Sequence, residues 1–174
     1  MVSANPEPSI LYQQRSPRKK WAPGLLDVAA GGHRQAGEKL TEGLREVEEE
    51  LGKHYALDQL IHLGKKLYVG FHDNGTSHNN AIDVYLTQDD SPLDSYKLQE
   101  SEVHAVCRCS IKELLKVHRD KSYSFEVQGL SAEGKELTIA VSKASFPENY
   151  WDDYHFKLAL LAECYFKGEK DLLY

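Results

Sequence analysis

Six glutamates fall within thirteen residues of one short segment, and this concentration of carboxylates constrains the chain more than any other feature. The segment runs from Gly31 to Gly52 and reads GGHRQAGEKLTEGLREVEEELG. Its apolar residues recur at the three-and-four spacing that defines one face of an amphipathic helix: Leu40, Leu44, Val47 and Leu51. The opposite face is acidic and contains Glu42, Glu46, Glu49 and Glu50. Because like charges at i,i+3 and i,i+4 repel one another, the pattern predicts a cation between these carboxylates.

The cation that fits this helix is a hard divalent ion, Mg²⁺ or Mn²⁺, since both take oxygen ligands. Glu46, Glu49 and Glu50 stand at i, i+3 and i+4, so that one ion can contact all three. Arg45 precedes Glu49 by four residues, where a guanidinium can fork onto a ligating carboxylate and fix its rotamer. The glycines of the preceding turn, Gly31 and Gly32, would let backbone groups approach an ion or a phosphate closely.

The segment resembles the signature of the Nudix hydrolases, Gly-x5-Glu-x7-Arg-Glu-U-x-Glu-Glu-x-Gly-U, in which U is aliphatic. The residues that match are Gly32, Glu38, Arg45, Glu46, Val47, Glu49, Glu50 and Gly52. Two positions depart from the pattern. Six residues separate Glu38 from Arg45 instead of seven, and Lys53 replaces the last aliphatic residue. The preceding sequence WAPGLLDVAAGGH is similar to the branch of the family related to isopentenyl-diphosphate isomerases.

This resemblance implies an α/β fold, a Nudix-type α/β/α sandwich with a mixed β-sheet, formed by one domain over residues 1–174. It also implies a magnesium-dependent hydrolase that cleaves the diphosphate linkage of a nucleoside diphosphate derivative or another small organic diphosphate. Glu46, Glu49 and Glu50 would hold the metal, and the Gly31 carbonyl would add a ligand. Glu49 or a glutamate outside the signature, for which Glu102 is the candidate, would accept a proton from water. The resemblance places Gly32, His33 and Glu38 beside the substrate.

A basic cluster precedes the glycine turn and contains Arg15, Arg18, Lys19 and Lys20. Ile10 to Gln14 is predicted to be a strand, which would deliver Arg15 to the acidic helix as a clamp for the substrate phosphates. The alternative is a solvated loop. Arg15 is favoured over the lysines.

Alternating apolar residues predict the remaining sheet. Strands are expected at Leu25–Ala30, around Leu67–Phe71 and Ile82–Leu86 with a loop Asp73–Asn80 between them, at Val103–Cys109, and in a hairpin around Tyr123–Val127 and Leu137–Val141. Helices are expected at Ile111–Val117 and at the end of the chain, where a stripe includes Trp151, Tyr154, Leu158, Leu161 and Tyr165. Only nine residues, with Pro6 and Pro8 among them, precede the strand at Ile10. We therefore expect either a stub of the usual N-terminal strand or an open edge near Ile10 that a partner, such as a second copy in a homodimer, would cover.

Composition limits the classes of partner. The net charge of −6 argues against binding a nucleic-acid polymer, and no apolar stretch approaches the length of a membrane span. Three cysteines do not form a disulfide framework, and the N-terminus lacks the pattern of a signal peptide, so a cytoplasmic location is expected.

Two alternatives to the hydrolase stay open. The first is an isopentenyl-diphosphate isomerase-like enzyme, but such enzymes carry a cysteine before the Gly-His pair, and here Gly31 precedes Gly32 and His33. The second is a non-catalytic protein of the same fold that binds a nucleotide or diphosphate.

Overall fold

A computed structural model of the protein describes residues 1–32, 43–71, 77–147 and 153–174, with the backbone alone for 69–71 and 77–79. The strands in these ranges are β1 (Val2–Ser3), β2 (Ser9–Arg15), β3 (Leu26–Val28), β4 (Ile61–Phe71), β5 (Ser77–Leu86), β6 (Val103–Ser110), β7 (Ser124–Ser131) and β8 (Glu136–Ser142). The α-helices are α1 (Arg45–Leu51), α2 (Ile111–Arg119) and α3 (Tyr154–Phe166). None of the helices in the described ranges has the length and apolar character needed to cross a bilayer.

Strand β2 lies inside the main sheet, whose order is β1-β2-β6-β7-β8 with β3 also paired to β2. β6 pairs along one side of β2, and β1 and β3 follow one another along the other side. Every pairing between these strands is antiparallel. The mixed character expected of the sheet is therefore limited, in the described residues, to the isolated parallel bridge between Val2 and Gln88.

The N-terminal stub is confirmed, and the open edge near Ile10 is wrong. Val2 pairs with Ile10 and Ser3 with Ser9, while the N–H of Leu11 donates to the carbonyl of Met1 at 3.0 Å. Two residues are enough to cover this part of β2 because β3 covers the rest of the same side. The edge near Ile10 therefore gives no support for a second copy of the chain.

The two faces of the sheet bury separate apolar clusters, which confirms the predicted sandwich. Tyr12 and Cys107 lie in the cluster that packs against α2 and α3. Leu11 and Val106 lie in the other cluster, where they meet Leu51 of α1. Because side chains alternate along a strand, β2 contributes to both clusters and holds α1 in place from beneath.

The second sheet is the hairpin formed by β4 and β5. The two strands are confirmed, but the expected loop Asp73–Asn80 is too long. Ser77–Asn80 belong to β5, because the ladder continues from Tyr68 opposite Asn80 to Phe71 opposite Ser77. Residues 73–76 of that loop lie outside the described ranges.

The C-terminal half follows the predicted order of strand, helix, hairpin and helix. Cys107 and Cys109 are buried free thiols on β6, as expected. The apolar stripe of the last helix is displaced, however. His155, Ala159 and Ala162 are its buried residues, and the predicted larger residues Tyr154, Leu158, Leu161 and Tyr165 are only partly buried. Small alanine side chains let a helix approach its neighbours closely, which large residues would prevent. Trp151 lies outside the described ranges.

Gly52 ends α1 and provides the first prediction. Its φ of 64° lies in the left-handed region, and a Cβ there would stand 2.6 Å from the Lys97 Cβ. We expect Gly52→Ala to lower the free energy of unfolding by about 2 kcal/mol or more, since about 1 kcal/mol comes from the left-handed backbone and the rest from the clash.

Chemical denaturation measures this loss, and Gly134→Ala is the control. Gly134 has a similar φ of 75°, but no atom lies within 4 Å of the place that a Cβ would occupy, so that variant reports the backbone cost alone. Equal losses in the two variants would contradict the steric contribution at Gly52.

Candidate active site

Glu50 is the most buried carboxylate of α1, with 6% of its surface exposed. Its Oε2 accepts a hydrogen bond of 3.1 Å from Nε2 of Gln13 on β2, which is itself buried. The backbone N–H of Gly31 donates to the same carboxylate. The expectation that Glu50 lies on an outward acidic face is thus wrong: its side chain turns inward, between β2 and the turn that follows β3.

Glu46 stands one helical turn before Glu50, directly against Gly32. A Cβ on Gly32 would lie 2.2 Å from the Glu46 Cγ and 2.3 Å from its Cδ, so only glycine leaves room for this carboxylate. The negative charge of Glu46 also raises the pKa of Glu50, which shows that the two carboxylates are near neighbours. The glycine turn therefore allows the close approach that the sequence predicts, although to a carboxylate rather than to a phosphate.

Glu49 forms an ion pair with Arg45. Nε of Arg45 lies 3.1 Å from Oε1 of Glu49, and its Nη2 lies 3.4 Å from Oε1 of Glu46. Arg45 therefore contacts two of the three signature carboxylates, as a residue that fixes their rotamers would. Within the ranges that the structure describes, no three acidic, histidine or cysteine side chains come together as a metal site.

Burial raises the pKa of Glu50 from 4.5 to about 7, and the charge of Glu46 adds to that effect. The hydrogen bonds from Gln13 and Gly31 and the charge of Lys19 act in the opposite direction. A carboxylate buried beside a second carboxylate is costly to ionise unless a cation compensates it. Glu46 and Glu50, with the space left by Gly32, thus fit a divalent cation with oxygen ligands.

Glu102 lines a cleft that Glu46 and Gly32 also line, and its Oε2 is ion-paired with Nζ of Lys19. The loop between β2 and β3 reaches this region because the N–H of Ser16 donates to the Glu102 carbonyl at 2.9 Å. Lys19 is close enough to Glu50 to lower its pKa. Lys19 therefore contacts Glu102 and also acts on the charge of Glu50, and the role of Glu102 as the additional glutamate stays a prediction.

Arg15 is engaged elsewhere. Its Nη1 lies 3.2 Å from Oδ2 of Asp27, its Nε donates to the carbonyl of Trp21 at 3.1 Å, and its guanidinium stacks on the Trp21 ring. Both partners of the ion pair are mostly buried, which ties Arg15 to the loop. Of the basic cluster, Lys19 acts on the charge of Glu50, and the role of Arg15 as a phosphate clamp stays a prediction.

Gln13 and Lys19 are the residues that sequence reasoning missed. Gln13 had a detectable signal, since it is a polar residue at an inward position of β2, two residues after the buried Leu11. Lys19 had none beyond its membership of the basic cluster. His33 and Glu38, which the resemblance places beside the substrate, lie outside the described residues.

The isomerase alternative requires a thiol where Gly31 stands. The three cysteines of the chain are all described: Cys107 and Cys109 are buried on β6, and Cys164 lies on α3. None of them replaces the missing thiol next to Gly32.

The chain is similar in sequence to known proteins over most of its length. The NUDIX domain family matches residues 1–127. An uncharacterized Nudix hydrolase of Clostridium acetobutylicum is 28% identical over 160 residues, which cover 90% of this chain and 77% of that protein. The uncharacterized Nudix hydrolase YfcD of Escherichia coli is 54% identical over 44 residues, which cover 25% of this chain and 24% of that protein.

A solved structure supports the fold. The crystal structure of DR0079 from Deinococcus radiodurans superposes with a TM-score of 0.50 at 24% sequence identity, and the match covers 68% of each chain. At this level of identity the likeness concerns the fold alone.

Proposed function

This chain belongs to the NUDIX domain family, and on that premise we propose that it is a Mg²⁺- or Mn²⁺-dependent pyrophosphohydrolase that cleaves a small organic diphosphate. The observation that carries the proposal is the pair formed by Glu46 and Glu50. Two neighbouring carboxylates, one of them buried and the other against a glycine, form a place that is unfavourable without a cation.

The metal residues in this proposal are Glu46 and Glu50, with Glu49 as the third signature carboxylate. Glu49 is half-exposed and forms an ion pair with Arg45, one helical turn earlier. A change of rotamer would bring its carboxylate towards those of Glu46 and Glu50. The Gly31 carbonyl remains a proposed ligand beside the N–H that supports Glu50. When bound, the divalent ion neutralises charge on the diphosphate and lowers the pKa of a water molecule.

The protein's own residues then have separate roles. Gln13 and the Gly31 N–H orient the Glu50 carboxylate, and Arg45 orients Glu46 and Glu49. Glu102 is proposed to accept the proton of the attacking water, because it lines the cleft and its carboxylate is held there by Lys19. Lys19 would exchange part of that pairing for the negative charge of the substrate.

A hydrolysis screen in which chromatography separates the products of diphosphate cleavage tests the function. The panel contains dinucleoside polyphosphates, nucleotide sugars, coenzyme A, oxidised nucleotides and prenyl diphosphates, each with saturating Mg²⁺ or with EDTA. We expect cleavage of at least one class only when the metal is present. Tight binding of a diphosphate without turnover in any metal condition would instead support the non-catalytic alternative.

Lys19 gives a second prediction. Removing a charge-assisted contact to the substrate costs roughly 1.5 kcal/mol, so we expect Lys19→Gln to raise KM for the best diphosphate substrate by about tenfold. The measurement is steady-state hydrolysis at saturating Mg²⁺. Lys135→Gln is the matched control, because the substitution is identical and Lys135 pairs with the exposed Glu133 in the turn between β7 and β8, outside the cleft. Equal KM values in the two variants would show that Lys19 does not contact the substrate.

A further inference from the structure

A hydrogen-bonded turn joins the acidic helix to Glu102. The turn consists of residues 99–102 and directly precedes β6. The N–H of Gln99 donates to the carbonyl of Glu50 at 3.1 Å, and the carbonyl of Gln99 accepts the N–H of Glu102 at 2.8 Å. One residue is therefore bonded to the backbone of a proposed metal ligand on one side and to the backbone of the proposed base on the other.

Further backbone contacts hold the segment that contains this turn at both ends. The N–H of Lys97 donates to the carbonyl of Leu51 at 2.9 Å, so the segment supplies donors to carbonyls at the C-terminus of α1 that have no partner within the helix. Gly52 permits this close approach, because a Cβ there would stand 2.6 Å from the Lys97 Cβ. At the other end, the carbonyl of Gln99 also accepts the N–H of Val103 at 2.8 Å, where β6 begins. The segment is thus fixed to α1 and to the main sheet.

The backbone of the segment makes these bonds, whereas its side chains are largely in solvent. Gln99 and Glu100 are both exposed. The side chain of Glu102, in contrast, lines the cleft that Glu46 also lines. Its carbonyl accepts the N–H of Ser16 at 2.9 Å, which adds a third fixed point. The backbone of Glu102 therefore keeps a defined place relative to α1, whatever the exposed side chains of the turn are.

We propose, building on the hydrolase function above, that Gln99 is a positioning residue whose two backbone hydrogen bonds set the place of the Glu102 carboxylate relative to the metal ligands of α1. A general base must lie within hydrogen-bond reach of the water that it deprotonates, and a displacement of about 1 Å costs on the order of a hundredfold in rate. Gln99 contacts neither the metal nor the substrate in this proposal and acts through Glu102 alone.

Gln99→Pro tests this role, because proline lacks the N–H that donates to the Glu50 carbonyl. We expect kcat for the best diphosphate substrate to fall by about a hundredfold, while KM stays within a few-fold of wild type. Glu100→Pro is the matched control. Glu100 occupies the second position of the turn, where proline is favoured, and its N–H donates to no other residue in the described ranges. The control should keep kcat within a few-fold of wild type.

A double-mutant cycle separates positioning from a general structural effect. Glu102→Gln alone should lower kcat by at least about a hundredfold, since it removes the proposed base. Adding Gln99→Pro to that variant should lower kcat by no more than about twofold further, because Gln99 acts through Glu102. Losses that multiply in the double variant would overturn the proposal. A glycine inserted between Glu100 and Ser101 lengthens the exposed turn by one residue, and it should give the same result where proline at position 99 prevents folding.

Two readouts do not depend on turnover. Mg²⁺ should raise the thermal unfolding temperature of Gln99→Pro as much as that of wild type, because the carboxylates of α1 remain. A smaller rise would overturn the proposal, since Gln99 would then act through the metal site. Amide hydrogen exchange of Glu102 and Val103 should be faster in Gln99→Pro than in wild type, and unchanged exchange would also overturn the proposal. Faster exchange in a protein whose wild type hydrolyses nothing would support the link between α1 and Glu102 and remove the hydrolase.

Discussion

Replacing Glu50 by glutamine is expected to stabilise the metal-free protein while removing its activity. The carboxylate of Glu50 is buried, and its pKa rises from 4.5 to about 7 in the folded state. The folded protein therefore binds more protons than the unfolded chain between these two pH values. Protonation of Glu50 therefore favours the folded state. This stabilisation is complete below about pH 4.5 and is lost as pH rises through 7.

Above pH 7 the ionised Glu50 should lower the free energy of unfolding by about 3 kcal/mol, which is roughly the cost of the rise in pKa from 4.5 to about 7. Glutamine has nearly the same shape and its amide oxygen can accept the hydrogen bond from Gln13, but it does not ionise. Urea unfolding in EDTA should therefore show a stabilised variant at pH 8, and the difference should shrink towards pH 4.5.

The same substitution removes a proposed metal ligand, so hydrolysis should fall by at least about a hundredfold in kcat/KM. Added Mg²⁺ should stabilise the wild type and have a much smaller effect on the variant, since an ion that binds only the folded state raises stability by mass action. Glu48→Gln is the control, because Glu48 is exposed on the same helix and the change in charge is identical. A Glu50→Gln protein that is less stable than wild type in EDTA at pH 8 would contradict the electrostatic argument.

Gly32→Ala is expected to inactivate the enzyme without unfolding it. The new methyl group would overlap the Glu46 side chain, whose Cγ and Cδ lie 2.2 and 2.3 Å from the position of that Cβ. Glu46 is partly exposed and can rotate away, so the fold should survive the change. The carboxylate would then leave its place beside Glu50. Misplacement of a catalytic group by about 1 Å costs on the order of a hundredfold in rate, and we expect a loss of at least that size in kcat/KM.

Gly31→Ala provides a closely matched control for this prediction. Its Cβ would meet only Cγ2 of Val28, at an ordinary contact distance of 3.8 Å. This variant keeps the backbone N–H that donates to Glu50 and should retain activity within a few-fold. Thermal unfolding verifies that both proteins are folded, and steady-state hydrolysis separates them. Similar activity in the two alanine variants would show that Glu46 does not need the space beside Gly32.

The layered fold and the acidic helix were predictable because they depend on local patterns. Alternation in β2 and β6 and the spacing of Val47 and Leu51 follow directly from strand and helix geometry. The inward turn of Glu50 was not predictable in this way. It depends on Gln13, which lies thirty-seven positions away in the chain and becomes a neighbour only when β2 passes under α1.

The different contacts of Arg15 and Lys19 were not predictable for a related reason. Both are cations after the predicted strand Ile10 to Gln14, and Arg15 was favoured because it leaves the end of that strand. The structure uses Arg15 to hold the loop through Asp27 and Trp21, which leaves Lys19 to face Glu102. Which cation serves which partner is decided by tertiary contacts, and a periodic pattern contains no information about them.

The loop that holds Trp21 begins and ends at almost the same point. The N–H of Gly24 donates to the carbonyl of Arg15 at 3.1 Å, and the N–H of Arg15 donates to the carbonyl of Leu25 at 2.9 Å. Because these bonds close the loop at its base, residues between them can be lengthened, shortened or exchanged at a modest cost in closure entropy. Protein engineers can therefore graft new recognition sequences here and retain the buried scaffold, provided that the replacement supplies its own partner for Glu102.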